Sequence, residues 1–203
     1  MLTFYHAPRS RSCGIHWLLE ELGVSYQIEI VDIRANGGAP ESYRAIHPHK
    51  KVPAIIHDDV IITERAAITT YLADAFPEKG LAPLNGDRRR GPYLTWLVYA
   101  DAVIDPALAA KVQGWTYAPN AFPFGSFEDM LAHVEQTLSK SPYVLGDRFT
   151  AADIPVAGAL FWGLNVFGLV PSRPVFLDYL ARIEERPAFL RTIVQAPSGE
   201  LAA

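Results

Sequence analysis

The chain has 203 residues, of which 50% are hydrophobic and 20% charged, and its formal net charge is −4. Such a composition is typical of a folded globular protein, and the length favours two modest hydrophobic cores over one. Charges of both signs are interspersed, which excludes the basic face of a nucleic-acid-binding protein. We therefore expect no nucleic acid among the partners.

The only cysteine is Cys13, so an intrachain disulfide framework, a CxxC redox pair and a four-cysteine zinc site are excluded. This usage fits a reducing compartment, and we predict a cytoplasmic protein. No basic segment followed by an apolar stretch marks an export signal near the start. The uncharged stretch 154–170 contains Pro155 and is shorter than the ~20 residues of a membrane span, so it predicts a buried helix.

Hydrophobic periodicity predicts a βαβαββα arrangement for the first half of the chain. The predicted elements are a strand at 2–6, a helix through Ile15 and Leu22 that stops at Gly23, a strand at 26–33, a short helix at 41–46, a hairpin of 52–56 and 59–62 around His57-Asp58, and a helix through Ile68 and Ala75.

The second half of the chain is predicted to be helical, after a proline- and glycine-containing linker at 79–86. One apolar stripe runs from Leu94 through Val98 to Leu108, another from Phe176 to Ile183, and Pro187 opens a last short helix. The pattern Thr150-Ala-Ala-Asp153 predicts a reciprocal cap at the start of the buried helix, in which each of the two side chains accepts from the other residue's N–H. We expect two domains, 1–78 and 87–203.

Four segments at these spacings resemble the soluble glutathione transferases, and together they cover essentially the whole chain. They are the loop His6–Ser12 before Trp17–Gly23, then Lys51-Val-Pro-Ala-Ile55, then Glu64-Arg65, then Thr150–Asp153. The resemblance implies a thioredoxin-like domain that holds glutathione, followed by an all-helical domain that completes a pocket for a second substrate. This fold agrees with the one that the periodicity predicts.

The resemblance implies a glutathione site in the first domain. Pro53 stands where the family has a cis-proline, which leaves the N–H and C=O of Val52 free to pair with the cysteinyl part of the ligand. Lys51, with His49 nearby, is implied to neutralise the glycyl carboxylate. Glu64 and the main chain of Arg65 are implied to hold the γ-glutamyl end, where a helix N-terminus favours an anion. Arg65 departs from the serine usual in the family.

The loop that holds Arg9, Ser10, Arg11 and Ser12 is the predicted catalytic corner. A thiol near pKa 8.5 needs a hydroxyl donor, a positive neighbour or a helix N-terminus to ionise at neutral pH, and this loop offers all three. Serine-type members of the family use a hydroxyl here; Ser10 fits the spacing best, and Ser12 is either the alternative donor or a helix cap. We include Arg11 among the glutathione-binding residues.

Two further side chains compete for a role in this corner. Tyr5 is a rival hydroxyl donor because another branch of the family uses a tyrosine near the end of the first strand. Cys13 would support exchange through a mixed disulfide, but it stands one to two positions beyond the family's catalytic cysteine, and we expect it to be buried and inert.

The resemblance predicts a glutathione S-transferase that activates the thiol for attack on an apolar electrophile. The candidate electrophile pocket consists of Tyr5, Tyr99, Trp115 and Tyr117. Alternatives are a glutathione-dependent reductase of disulfides or peroxides, and a non-catalytic interaction module with the same fold. We expect a homodimer, glutathione as co-substrate, no permanently bound cofactor, and no metal, because neither the His47/His49 pair nor the CxxH of Cys13 and His16 completes a site.

Overall fold

Strands and helices alternate over the first 76 residues of the chain, and helices dominate the rest. The structure, a computed structural model, describes residues 1–194. It divides into two units, and each is treated by itself. The first unit consists of Met1–Phe76 together with the segment that starts at Arg186, and the second unit is Pro77–Glu185.

The first unit is built around a four-stranded mixed sheet. Its strands are β1 (Leu2–His6), β2 (Gln27–Ile30), β3 (Ala54–His57) and β4 (Val60–Thr63), in the spatial order β2-β1-β3-β4. Strand β1 is parallel to β2 and antiparallel to β3, which is antiparallel to β4. Helices α1 (Ser12–Leu22) and α2 (Arg65–Ala75) and a 3₁₀ turn at Glu41–Ala45 complete the order. The predicted βαβαββα arrangement is confirmed.

The core of this unit follows from the alternation and periodicity of the sequence. Residues Leu2, Phe4 and His6 alternate inward along β1, as a strand period of two requires. Helix α1 buries Ile15, Leu18, Leu19 and Leu22 at helical spacing. It ends at Gly23, whose left-handed φ of 60° lets its N–H bond the Leu19 carbonyl at 3.0 Å.

Two predicted boundaries in this unit were displaced. The strand expected at 26–33 is only the exposed β2. The hairpin turn lies at Asp58-Asp59 and not at His57-Asp58, because Asp58 and Asp59 adopt positive φ angles of 47° and 69°. Two consecutive left-handed residues form the tight turn that matches the twist of a hairpin, and aspartate tolerates this conformation. Strand β3 starts after Pro53, which has no N–H to offer a neighbouring strand.

The second unit is helical. Its helices are α3 (Arg90–Tyr99), α4 (Asp105–Val112), α5 (Phe127–Leu138), α6 (Asp153–Asn165) and α7 (Pro174–Glu184). A π-type turn at Ala100–Ile104 joins α3 to α4 without a break. The expected stripe from Leu94 to Leu108 is wrong at its start, because Leu94 and Val98 are 38% and 57% exposed. Tyr93, Trp96 and Leu97 are buried instead.

Helix α6 starts at a buried carboxylate. The Asp153 carboxylate accepts from the N–H of Val144 (2.9 Å), the N–H of Thr150 (2.8 Å), and the hydroxyls of Thr150 (3.2 Å) and Tyr179 (3.1 Å). Only half of the predicted reciprocal cap forms, because the Asp153 N–H bonds the Thr150 carbonyl and not its hydroxyl. That hydroxyl is turned toward the carboxylate. Across residues 1–194, every helix is too short or too polar to cross a membrane.

After Glu185 the chain returns to the first unit. Helix α8 (Pro187–Phe189) begins at Pro187 as predicted, and the ring of Phe189 meets that of Trp17 edge-on at 5.0 Å. Arg186 forms a two-pronged ion pair with Glu21 at 2.7 Å for both bonds. The expected domain limits, 1–78 and 87–203, remain a prediction, to which the structure adds that the segment from Arg186 groups with the first unit.

Candidate functional site

The loop between β1 and α1 is organised around the hydroxyl of Ser12. This oxygen accepts from the N–H of Ala7 (3.1 Å), lies 3.1 Å from the Ala7 carbonyl, and contacts Nδ1 of His6 at 2.8 Å. Ser12 is fully buried, at 0% exposure. Its hydroxyl thus links the first residue of α1 to His6, the last residue of β1, and to Ala7 just after it.

Ser10 lies at the more open end of the same network. Its Oγ is 2.7 Å from Oγ of Ser12 and donates to the Ala7 carbonyl at 2.7 Å, while the N–H of Ser12 approaches it at 3.2 Å. Unlike Ser12, Ser10 is only partly buried. Of the two serines, Ser10 is therefore the more exposed residue.

The thiol of Cys13 lies inside the first turn of α1. It is 5% exposed, and burial raises its pKa more than the nearby main-chain groups of Ser10 and Arg9 lower it. A raised pKa disfavours the thiolate, which is the reactive form. The structure thus places Cys13 as a buried residue, and its lack of reactivity stays a prediction.

The rings of His6 and His16 pack against each other behind the loop, with centroids 5.3 Å apart and planes tilted by 54°. Burial, with a smaller contribution from His16, lowers the pKa of His6 to about 4. Burial lowers the pKa of His16 too, against the opposing charge of Glu20. His6 is therefore neutral at physiological pH, and it offers Ser12 a neutral ring nitrogen.

Arg34, which the sequence analysis did not identify, holds the loop between β1 and α1 through two hydrogen bonds. Arg34 donates to the carbonyl of Pro8 at 3.1 Å and to that of Arg9 at 2.8 Å. No pattern in the sequence links these residues, because they are about 25 positions apart and Arg34 lies in a loop after β2. The side chain of Arg11 is exposed on the same loop.

The second candidate segment is the loop from His47 to Pro53. Tyr43 holds it by donating to the Lys51 carbonyl at 3.1 Å, and the N–H of His49 bonds Nδ1 of His47 at 3.2 Å. His49 and Lys51 are exposed, so their side chains are accessible. The Val52–Pro53 peptide bond is cis, as the resemblance implies.

Glu64 stands at the N-terminus of α2. It is exposed and has a φ of 67°, and Arg65 is the first residue of the helix. Charges on Glu64, His49 and Lys51 all act on His47, whose pKa is lowered mainly by burial and partly raised by Glu64. Because Ala54 pairs with Thr63 across β3 and β4, the end of the loop before Ala54 and Glu64 after Thr63 lie side by side, although more than ten residues separate Lys51 from Glu64 in sequence.

Backbone strain is concentrated at these three segments. Among residues 1–194, five residues other than glycine have positive φ, of which Asp58 and Asp59 form the hairpin turn. The other three are Arg9, Lys50 and Glu64, with φ of 53°, 54° and 67°. A bulky residue rarely adopts this conformation, and strained positions are frequent at binding and catalytic sites.

The candidate electrophile-pocket residues fall into separate clusters. Tyr5, in the first unit, packs against Tyr43 with ring centroids 5.6 Å apart. In the second unit, Tyr99 packs at 5.0 Å from His133, whereas Trp115 is 60% exposed. Tyr117 belongs to another aromatic cluster and donates to the Gly125 carbonyl at 3.0 Å.

Within residues 1–194, no group of three or more His, Cys, Asp and Glu side chains is placed to hold a metal ion. The groups that the described site offers are the hydroxyls of Ser10 and Ser12, main-chain amides at helix N-termini, and exposed cationic side chains such as Lys51. Such groups suit an anionic peptide ligand with a reactive thiol.

Comparison with known proteins agrees with this chemistry. The model of the glutathione S-transferase N-terminal domain matches residues 1–74, and that of the C-terminal domain matches residues 124–189. The glutathione S-transferase GstA of Escherichia coli O157:H7 is 28% identical over 92% of this chain and 94% of its own.

Solved structures give the same result. The glutathione transferase of Methylococcus capsulatus superposes with a TM-score of 0.80 at 29% identity, covering 96% of this chain and 98% of its own. A sphingomonad glutathione S-transferase complexed with glutathione has a TM-score of 0.77 at 26% identity, over 95% of this chain and 98% of its own. With both domain models matched in order and relatives aligned over nearly their full length, this chain belongs to the glutathione S-transferase family.

Proposed function

We propose that Ser10 donates the hydrogen bond that stabilises the thiolate of bound glutathione in this glutathione S-transferase. The observation that carries the assignment is the contrast in burial among the three side chains of the loop. Ser10 is partly exposed, whereas Ser12 and Cys13 are buried, at 0% and 5% exposure. A ligand thiol that approaches from solvent meets the hydroxyl of Ser10 first.

The γ-glutamyl end of glutathione is assigned to the N-terminus of α2. The carboxylate of Glu64 accepts from the α-ammonium group, and the main-chain N–H groups at Arg65 donate to the α-carboxylate. The positive φ of Glu64 supports this assignment, because it turns the entry to the helix away from the ordinary conformation. Arg65 replaces a serine hydroxyl in this role with its amide and its positive charge.

The rest of the peptide is assigned to the loop held by Tyr43. The N–H and C=O of Val52, beside Pro53, pair with the cysteinyl residue as a short extended strand. Lys51 neutralises the glycyl carboxylate, with His49 beside it, and both side chains are exposed for this purpose. Arg11 and Arg34 add positive charge next to the thiolate, and Arg34 also fixes the carbonyls of Pro8 and Arg9.

In the proposed reaction, bound glutathione loses its thiol proton to solvent, and the thiolate sulfur attacks an apolar electrophile. A carbon–sulfur bond forms, and in a substitution the leaving group departs with the electron pair of the broken bond. Each pKa unit by which the site lowers the thiol corresponds to ~1.4 kcal/mol of preferential thiolate stabilisation. Tyr5, Tyr99, Trp115 and Tyr117 remain the candidates for contacting the electrophile.

The test is a pH–rate profile of Ser10→Ala, Ser12→Ala and Cys13→Ala with an activated aryl chloride. We expect Ser10→Ala to lower turnover at neutral pH about ten- to a hundred-fold and to shift the ascending limb to higher pH. Ser12→Ala should have a smaller effect, and Cys13→Ala little. If Cys13→Ala alone abolished activity, the serine mechanism would be wrong, and exchange through a mixed disulfide would replace it.

Two further properties stay proposals. A homodimer is expected from the family, and exposed Leu94 and Val98 on α3 provide apolar surface for an interface. A cytoplasmic location is expected from the single, buried cysteine.

A further inference from the structure

The hydroxyls of Ser10 and Ser12 and the ring of His6 form a continuous hydrogen-bonded row. Nδ1 of His6 lies 2.8 Å from Oγ of Ser12, which lies 2.7 Å from Oγ of Ser10. Both distances are those of good hydrogen bonds. The row begins at a buried imidazole and ends at the partly exposed hydroxyl that we assign to the thiolate.

The direction of this row is limited by the one proton that each hydroxyl carries. Oγ of Ser12 already accepts from the N–H of Ala7, which leaves one lone pair and one proton, and that proton has two acceptors within reach, the Ala7 carbonyl at 3.1 Å and Oγ of Ser10 at 2.7 Å. When Ser10 donates to a thiolate, its oxygen, which also takes the N–H of Ser12, keeps a lone pair that can accept the Ser12 proton over the shorter of these two distances. The remaining lone pair of Ser12 then accepts from His6. Every member thus donates toward the sulfur only if Nδ1 of His6 carries the proton.

We propose that His6 and Ser12 are positioning residues that orient and polarise the Ser10 hydroxyl toward the glutathione thiolate, with His6 donating from Nδ1 to Ser12 and Ser12 donating to Ser10. The inference rests on the proposed role of Ser10. It also gives Ser12, the alternative donor of the sequence analysis, a function that does not require contact with the ligand.

The surroundings of His6 suit a fixed donor. His6 is 5% exposed at the end of β1, and its ring packs against those of Phe4 and His16, with centroids 5.2 and 5.3 Å away. Burial keeps its pKa far below neutrality, so the ring stays neutral and no proton passes along the row. In a buried row, successive donors polarise one another, which strengthens the last bond by roughly 10–30% per link.

The proton of Ser10 has an acceptor inside the protein as well. In the structure, the hydroxyl of Ser10 donates to the Ala7 carbonyl at 2.7 Å. That bond points the proton into the protein and away from a ligand. The Ser12 proton and a thiolate together favour the alternative orientation.

The test is the ultraviolet absorbance of bound glutathione, titrated with pH in the intact protein, because thiolate and thiol absorb differently. We expect Ser12→Ala and His6→Phe each to reduce the thiolate fraction at a fixed pH below the pKa about threefold. His6→Asn, whose side-chain NH₂ can replace the Nδ1 donor, should restore most of it. Ser10→Ala should reduce it at least tenfold, and adding Ser12→Ala to that variant should change nothing further.

The outcomes separate the two proposals. If Ser10→Ala leaves the thiolate fraction unchanged, the assignment of Ser10 is wrong. If Ser10→Ala reduces it but Ser12→Ala, His6→Phe and His6→Asn all match the unaltered protein, Ser10 stands and the row is wrong. The row is also wrong if His6→Asn behaves like His6→Phe, or if Ser12→Ala acts equally with and without the Ser10 hydroxyl.

Thr192→Val is the matched control, because it removes a buried hydroxyl that bonds the Ala188 carbonyl elsewhere in the first unit. It should leave the thiolate fraction unchanged. If Ser12→Ala fails to fold, the comparison of His6→Phe with His6→Asn still tests the row. Of these two variants, only His6→Asn has a side-chain donor for Oγ of Ser12.

Discussion

Replacing Asp153 by alanine should destabilise the protein without changing its chemistry. The carboxylate is 0% exposed and accepts four hydrogen bonds, two of them from main-chain N–H groups, of Val144 and Thr150. The two hydroxyl donors have alternatives, because Thr150 can rotate and Tyr179 also lies 3.2 Å from the Asp153 carbonyl. The two amides are fixed by the backbone and have no such freedom.

The magnitude follows from those two amides. Leaving a buried N–H without an acceptor costs about 1–3 kcal/mol, so the pair together accounts for roughly 2–6 kcal/mol. Removing a buried negative charge offsets part of this loss, since burial raises the pKa of Asp153 to about 6. We expect the free energy of unfolding at neutral pH to fall by about 3 kcal/mol, more than the ~0.5–2 kcal/mol of an ordinary helix cap.

Urea unfolding followed by circular dichroism measures this difference. Asp178→Ala on α7 is the matched control, because that aspartate is exposed and its loss should change stability by less than about 0.5 kcal/mol. Turnover per folded molecule should be unchanged in both variants. If the free energy of unfolding of Asp153→Ala lay within about 1 kcal/mol of that of the original protein, the cost assigned to the unpaired N–H groups would be wrong. A drop in turnover at unchanged stability would also refute it.

Burial raises the pKa of Asp153 in the folded protein to about 6, so the stability gained by protonating this carboxyl is fully present below the unfolded pKa near 4 and is lost as pH rises through 6. In urea unfolding, Asp153→Ala should therefore lower the free energy of unfolding by about 1.4 kcal/mol more at pH 5 than at pH 8. The opposite trend would show that the four hydrogen-bond donors lower this pKa more than burial raises it. Glu64→Ala should weaken glutathione binding by ~1.5–3 kcal/mol in calorimetry, with exposed Glu78→Ala as the control; unchanged affinity would remove Glu64 from the site. A thiol reagent should modify Cys13 only after the protein unfolds, because the native thiol is buried and its pKa is raised, with Cys13→Ala, which has no thiol, as the blank; rapid labelling of the native protein would contradict this. Light scattering should give the mass of a dimer, and Val98→Asp, at a position 57% exposed, should shift it toward the monomer; a monomer before substitution would reject the expected assembly.

Periodicity was sufficient to predict the fold, because it reports burial directly. Strand β1 and helices α1 and α7 have the buried faces that their sequences indicate. The periodicity wrongly predicted that Leu94 and Val98 are buried, because the prediction treated the segment from Leu94 to Leu108 as one uninterrupted α-helix. The π-type turn at Ala100–Ile104 adds a residue to the turn and shifts the face, and no residue in that segment marks it.

The candidate site was predictable only as a set of segments. The serines, Lys51 and Glu64 were identifiable because the family motifs lie along the chain in order. Their relations in space were not, since the clamp by Arg34 and the bond from His6 to Ser12 depend on where β1, α1 and the following loop meet. His6 in particular carries no sequence signal, because a histidine at the end of a strand is equally consistent with simple packing.

The path of the last helix matters for how this protein is made. Trp17 is fully buried, and its ring meets that of Phe189 edge-on, while Glu21 is paired with Arg186. When only the first 76 residues have been synthesised, Arg186 and Phe189, which pack against α1, do not yet exist. The helix that carries the catalytic loop at its start must wait for more than a hundred further residues to be synthesised, so the first unit reaches its final packing after the second unit has had the chance to fold.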